Sequence, residues 1–137
     1  MENWRNIWSA PGIAEKFNAQ GYGFDSISPG GKKITDAKGK TLAEVDLLLE
    51  NGDYIVAVEV KARPRQDDIT EHVERLEVLR RHYNKHRDVR KIRGAIAGAV
   101  FPGAVKAIAR KAGLYVIEQS GDTMKIEVPE GFKPKDW

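Results

Sequence analysis

Two charged tripeptides, Glu44-Val45-Asp46 and Glu59-Val60-Lys61, stand twelve residues apart, with an Asn51-Gly52 pair in the intervening stretch from Leu47 to Val58. That spacing constrains the chain more than any other feature. Asn-Gly between apolar-rich runs is the strongest short-range signal for a two-residue hairpin turn. Such a turn sets Glu50 opposite Asp53, and counting back along the ladder puts Asp46 opposite Ala57 and Glu44 opposite Glu59. Side chains alternate faces along a strand. Glu44, Asp46, Glu59 and Lys61 therefore project from one face, with Leu48 and Ile55 nearer the turn. The other face carries Val45, Leu47, Leu49, Tyr54, Val56, Val58 and Val60 and reads as core.

Three carboxylates and a lysine in one patch repel unless something neutralises them, since like charges opposite each other destabilise a sheet. Asp46 and Glu59 fall on a cross-strand diagonal roughly 7 Å apart at the backbone. Their carboxylates can converge on one hard, oxygen-seeking cation such as Mg²⁺. Lys61, one step further along the same face, is placed to orient a water or to stabilise charge developing on a phosphate. The same residues also fit a solvent-facing strand surface on which Glu59 pairs with Lys61 and Asp46 with a nearby base.

At 137 residues the chain has room for one domain, 1–137, with a sizeable core. Without cysteine it builds neither disulfides nor thiolate metal sites, which suits a reducing compartment. No apolar run approaches the ~20 residues of a membrane span, and no signal-peptide pattern opens the sequence. A cytoplasmic protein without membrane contact is the expectation. The formal net charge of +3 is unevenly distributed. Eight Lys and Arg residues between Arg75 and Arg93 face only Glu77 and Asp88, and Lys32, Lys33, Lys38 and Lys40 form a second cluster. Clusters of this kind read phosphate backbones, although solvated helix faces look the same. Arg80 and Arg81 in the first cluster, and the four lysines of the second, are the candidate nucleic-acid contacts.

Ala10, Ile13, Ala14 and Phe17 recur at helical spacing, with Ser9 as a possible cap and Gly21 as a stop. Glu15 falls on the opposite, solvent side. Trp4 and Trp8 suit packing or a dimer contact. Strands are predicted around 24–28, 33–35, 42–50 and 53–61, the last ended by Pro64. A long helix capped by Asp67 or Asp68 follows, with Ile69, Val73, Leu76, Leu79 and Tyr83 as its apolar stripe. Then come a buried strand over 92–101, a short helix opened by Pro102-Gly103, a strand over 114–119 and a last strand over 124–128. His82 and His86 have the spacing of a helical metal pair, but no acid completes the pattern and the surrounding bases repel a cation. His72 reads as helix surface or packing, with contact to a scissile phosphate as the functional alternative.

Helix, three strands, helix and strand, with Asp46 on the second strand and Glu59-Val60-Lys61 on the third, resembles the PD-(D/E)XK nuclease superfamily, in particular a bacterial branch with resolvase-like layout. The resemblance spans roughly residues 10–119. It implies a restriction-endonuclease-like α/β (α+β) fold, with an αβββαβ core, a central mixed sheet flanked by helices, a further αβ unit and a C-terminal strand. It also implies an Mg²⁺- or Mn²⁺-dependent endonuclease acting on DNA, with Asp46, Glu59 and the Val60 carbonyl as metal ligands and Lys61 assisting the water nucleophile. Val45 stands where the family name has proline. Ala10 stands where resolvase-like members carry a glutamate on the first helix, and Glu44 is the substitute acid available from the strand. A homodimer is a possible assembly. The alternative is a nuclease-fold module that binds nucleic acid or a protein partner without cutting.

Overall fold

The computed structural model describes residues 10–28 and 30–137. Trp4, Trp8, Ser9 and Pro29 lie outside the described residues. Helix α1 (Ala10–Asn18) buries Ala10, Ile13, Ala14 and Phe17, the stripe the periodicity predicts, and leaves Glu15 exposed. The chain then passes through β1 (Ser26–Ser28), β2 (Lys32–Thr35), β3 (Thr41–Val45), β4 (Leu47–Glu50) and β5 (Tyr54–Lys61). Helix α2 (Gln66–Lys85), β6 (Lys91–Gly98), α3 (Gly103–Lys111), β7 (Tyr115–Ser120) and β8 (Thr123–Glu127) complete the order.

Six strands form one mixed sheet in the order β1-β4-β5-β6-β7-β8. The pairs β5/β6 and β6/β7 are parallel, each joined by a helix, and the remaining neighbours are antiparallel. Helix α1 covers one face, packing Ile13 and Phe17 with Leu47, Leu49, Val56 and Val58. Helices α2 and α3 cover the other, where Ile69, Leu76 and Ala109 meet Leu48, Ile55 and Ala57. This is the mixed α+β architecture predicted from the element order, a central sheet between helical layers. One expectation changes. The strand face carrying the charged residues is not a polar outer surface: Leu48, Ile55 and Ala57 are as buried as the face behind them. Only its end carries charge.

The hairpin register differs from the predicted one by two residues. The observed partners are Glu50 with Ile55, Leu49 with Val56, Leu48 with Ala57 and Leu47 with Val58. Asn51 causes the difference. Its side-chain oxygen accepts hydrogen bonds from the Asp53 and Tyr54 amides at 2.8 and 2.6 Å, while its own amide bonds to the Tyr54 carbonyl. The turn thereby widens from two residues to four. A shift of two preserves every face, because the side-chain period is two. One step beyond the Leu47–Val58 pair, Asp46 now meets Glu59 directly rather than on a diagonal.

The predicted strand over 42–50 is also broken. Asp46 is a bend between β3 and β4, and β3 leaves the large sheet to pair with β2, Lys32 opposite Val45 and Lys33 opposite Glu44. Val45 therefore packs with Leu48, Ile34 and the α2 side of the core instead of with Leu47. In α2, His72 rather than Val73 joins the fully buried stripe. Neither Asp67 nor Asp68 occupies the cap position. Arg65 precedes the first turn, and Asp68 Oδ2 reaches back to the Arg65 amide at 2.8 Å, the return half of a capping box.

Candidate active site

The site gathers where the apolar sheet ends. Because β3 departs at Asp46, the amide of Val60 on β5 has no strand partner there. Asp46 Oδ2 accepts it instead, at 2.9 Å. Asp46 is otherwise exposed, whereas Glu59 beside it is only 5% exposed. Lys61 ends the strand half-buried, its ammonium between Glu59 Oε2 at 3.8 Å and Asp68 Oδ1 at 3.7 Å. Asp46, Glu59 and Lys61 are thus brought together. Glu44 is not: it is exposed on the β2–β3 ribbon, across from Lys33 and not from Glu59.

The loop leaving Lys61 is firmly seated. The Val100 amide bonds to the Ala62 carbonyl at 3.0 Å, and Pro64 is buried against Gly98. A Cβ on Gly98 would lie 2.6 Å from the proline ring, so only glycine allows this approach. A groove of about 360 Å³ opens beside Lys61, lined by Arg63, Arg65, Asp67, Asp68 and Glu71. Sequence reading passed over these arginines.

Arg75 was also not singled out among the cluster that contains it. From α2 its guanidinium lies 3.3 Å from Glu59 Oε2. Even with Arg75 and Lys61 close by, burial pushes the Glu59 carboxyl up to about 7, helped by its hydrogen bond with Asp46 and that residue's negative charge. His72 faces the sheet, fully buried, its Nε2 3.0 Å from the Ala57 carbonyl. Burial lowers its pKa to about 4.

Glu59 and His72 give opposite pH dependences over one window. A raised Glu59 means that the folded state holds a proton which the unfolded chain has lost, so stability falls as pH rises from 4.5 towards 7. A lowered His72 means that the unfolded chain gains a proton first, so stability falls as pH drops from 6.5 towards 4. Each is worth about 3 kcal/mol across its full span. Between pH 4.5 and 6.5 they nearly cancel. Urea denaturation in EDTA should therefore show little pH dependence from this pair in the wild type, but a rise of about 3 kcal/mol from pH 4.5 to 6.5 in Glu59→Gln. Parallel pH curves for the two proteins would remove the buried carboxyl from the account.

The long basic cluster disperses in space. Arg80 donates to the carbonyls of Asp88, Arg90 and Trp137 at 2.6, 2.7 and 3.0 Å and to Asn84, so its guanidinium ties α2 to the loop before β6. It is not a free phosphate contact. Arg90 pairs with Asp88 and Glu50, and Arg93 with Asp136. Arg81 is exposed. In the second cluster Lys32 lies over the Tyr83 ring at 5.3 Å, while Lys33, Lys38 and Lys40 are exposed on the ribbon. The His82 and His86 rings pack together, centroids 4.5 Å apart, and among the described residues no acid joins them in a metal-holding group.

Among the described residues, no group of three or more His, Cys, Asp or Glu side chains is arranged to hold a metal ion. What Asp46 and Glu59 offer is a pair of hard oxygen donors in mutual contact, one of them buried. Such a pair fits an alkaline-earth-type cation whose other ligands are backbone, water or substrate oxygens. Among the described residues no helix is long and apolar enough to cross a membrane.

No family model matches the chain, and no curated protein does. Two solved structures are similar to it. One is from an EndoMS complex with double-stranded DNA, with a TM-score of 0.46 and 23% identity over 82% of this chain and 44% of that one. The other is the small subunit, R.BspD6I2, of the heterodimeric restriction endonuclease R.BspD6I, with a TM-score of 0.41 and 14% identity over 83% of this chain and 62% of that one. The chain spans less than two thirds of either.

Proposed function

We propose that the chain is a metal-dependent phosphodiesterase that hydrolyses DNA, with Asp46, Glu59 and the Val60 carbonyl holding Mg²⁺ or Mn²⁺. The observation that carries this reading is the contact between Asp46 and the buried Glu59, two carboxylates at the end of an otherwise apolar strand. Burial makes that contact costly, and a shared cation offsets the cost. A bound divalent cation would keep both carboxylates ionised and polarise the oxygens ligated to it. Lys61 lies between two acids and presents a compact ammonium at the edge of the pair. There it orients the attacking water and stabilises charge growing on the phosphate. The water oxygen attacks phosphorus and releases one proton to solvent, the bond from phosphorus to one sugar oxygen breaks, and the departing oxygen takes up one proton from solvent. Lys33, Lys38, Lys40 and Arg81, exposed and free of the bonds that hold Arg80, are the proposed contacts to flanking phosphates.

The alternative, a nuclease-fold module that binds without cutting, draws support from one feature. Arg75 and Lys61 already partner Glu59 with no cation needed. Melting curves test the metal. Millimolar Mg²⁺ should raise the wild-type melting temperature by about 4 °C, the shift expected at tenfold excess over the dissociation constant. Asp46→Ala should show no such rise. An equal shift in both proteins would place the cation elsewhere.

A further inference from the structure

Arg75 is chemically incomplete as the structure stands. Its Nη1 is buried and makes no hydrogen bond of good geometry, although it lies 3.3 Å from Glu59 Oε2. The contact is one of charge rather than of a formed bond. Its placement follows from α2. His72, one turn earlier on the same face, is locked onto the Ala57 carbonyl of β5, and Leu76 is fully buried. Helical side chains lean towards the helix N-terminus, so Arg75 reaches back along the strand to Glu59.

Two consequences follow when Glu59 turns to a divalent cation, as the proposed function requires. The guanidinium loses its counter-charge and sits near a doubly positive ion, which it repels. Its inward nitrogen, Nη1, stays without an acceptor, a costly condition for a buried donor. A non-bridging oxygen of a phosphodiester, brought to the same cation, would relieve both. Guanidinium geometry suits phosphate oxygens.

We propose that Arg75 couples metal loading to substrate: it opposes cation binding on the free protein and becomes a contact to the scissile phosphate once DNA is seated. The proposal rests on the metal-dependent phosphodiesterase reading and assigns that site a preference for the phosphate-loaded state. The metal and the DNA should each bind better in the presence of the other, by the same factor.

The test compares wild type, Arg75→Met and Arg75→Lys by calorimetric titration with Mg²⁺ in the absence of DNA and by single-turnover cleavage of a DNA panel. Arg75→Met should bind Mg²⁺ roughly tenfold tighter than wild type, because a repelling charge is gone. It should nevertheless cleave about 10²-fold more slowly, because a phosphate donor is gone. Arg75→Lys, which keeps the charge, should restore the weak metal binding and part of the rate. Opposite signs for metal affinity and rate are the signature, since a residue that merely props Glu59 in place would lose both together. A loss of both in Arg75→Met and Arg75→Lys, or unchanged values in both, would overturn the proposal. If Glu59→Gln still abolished cleavage in that case, the phosphodiesterase reading would stand without it. A wild type that neither binds Mg²⁺, with or without DNA, nor cuts any substrate would overturn both. Circular dichroism and melting in EDTA identify any variant that has failed to fold, and Arg75→Lys serves if Arg75→Met does.

Discussion

Glu59→Gln and Lys61→Ala should each slow single-turnover DNA cleavage by about 10²- to 10³-fold, and for different reasons. Glu59 is buried against Asp46, and glutamine keeps its volume and one acceptor oxygen while removing the charge. The variant should fold, gain stability near neutral pH in EDTA and lose the melting shift produced by Mg²⁺. Lys61 touches Glu59 and Asp68 but leaves the carboxylate pair intact when truncated. Its variant should keep the Mg²⁺ melting shift and lose the chemical step. Full activity in both variants would move the chemistry away from β5. Identical cation titrations would dissolve the division of labour between them.

Gly31→Ala should destabilise the protein by at least about 3 kcal/mol, through a residue that carries no chemistry at all. Gly31 has φ +74 and closes onto the bend before β4, where a Cβ would lie 1.6 Å from the Val45 carbonyl oxygen and 3.0 Å from the Asp46 carbonyl carbon. Left-handed backbone alone costs a non-glycine residue about 1–2 kcal/mol. The collision adds the displacement of main chain, which cannot rotate away as a side chain can. Because the displaced atoms include Asp46, the Mg²⁺-dependent melting shift should shrink along with the stability. Gly39→Ala is the control: φ is +83 but nothing lies within 4 Å, so only the conformational cost of about 1–2 kcal/mol should appear. Chemical denaturation of the two variants measures the difference. Equal losses would mean that β2 yields freely and that Gly31 does not brace the bend.

The element order and the faces of the central hairpin were legible because they depend on periodicity. Parity survives a register shift of two, so Leu47, Leu49, Val56 and Val58 fall on the predicted face although every predicted partner is displaced. The register itself was not legible, because Asn51 spends its side chain on the turn, a choice that Asn-Gly alone does not announce. The break at Asp46 was hidden for a related reason. Leu42 to Glu50 reads as one continuous strand, and only the pairing of β3 with β2 diverts it.

Two of the three candidate acids were legible in the sequence; the third, Glu44, and the bases were less so. Asp46, Glu59 and Lys61 follow from spacing along neighbouring strands. Linear charge density, by contrast, ranked Arg80 with Arg81, whereas tertiary structure ties Arg80 to three carbonyls and leaves Arg81 exposed. Arg75 carried a usable signal that the stripe reading missed. It lies three residues from His72 and one from Leu76 on the inward side of α2, where a charged residue requires a partner.

Asp46 and Glu59 are proposed to share one divalent cation at which a DNA phosphate is hydrolysed. Anomalous scattering from a crystal of Glu59-intact, Lys61→Ala protein grown with Mn²⁺ and a duplex tests it most directly, because the slowed variant should hold both uncut. The expected result is a Mn²⁺ peak within about 2.3 Å of an oxygen of Asp46, of Glu59 and of one DNA phosphate. A bound duplex with no peak between the two carboxylates, or a peak at a separate set of residues, would contradict the account.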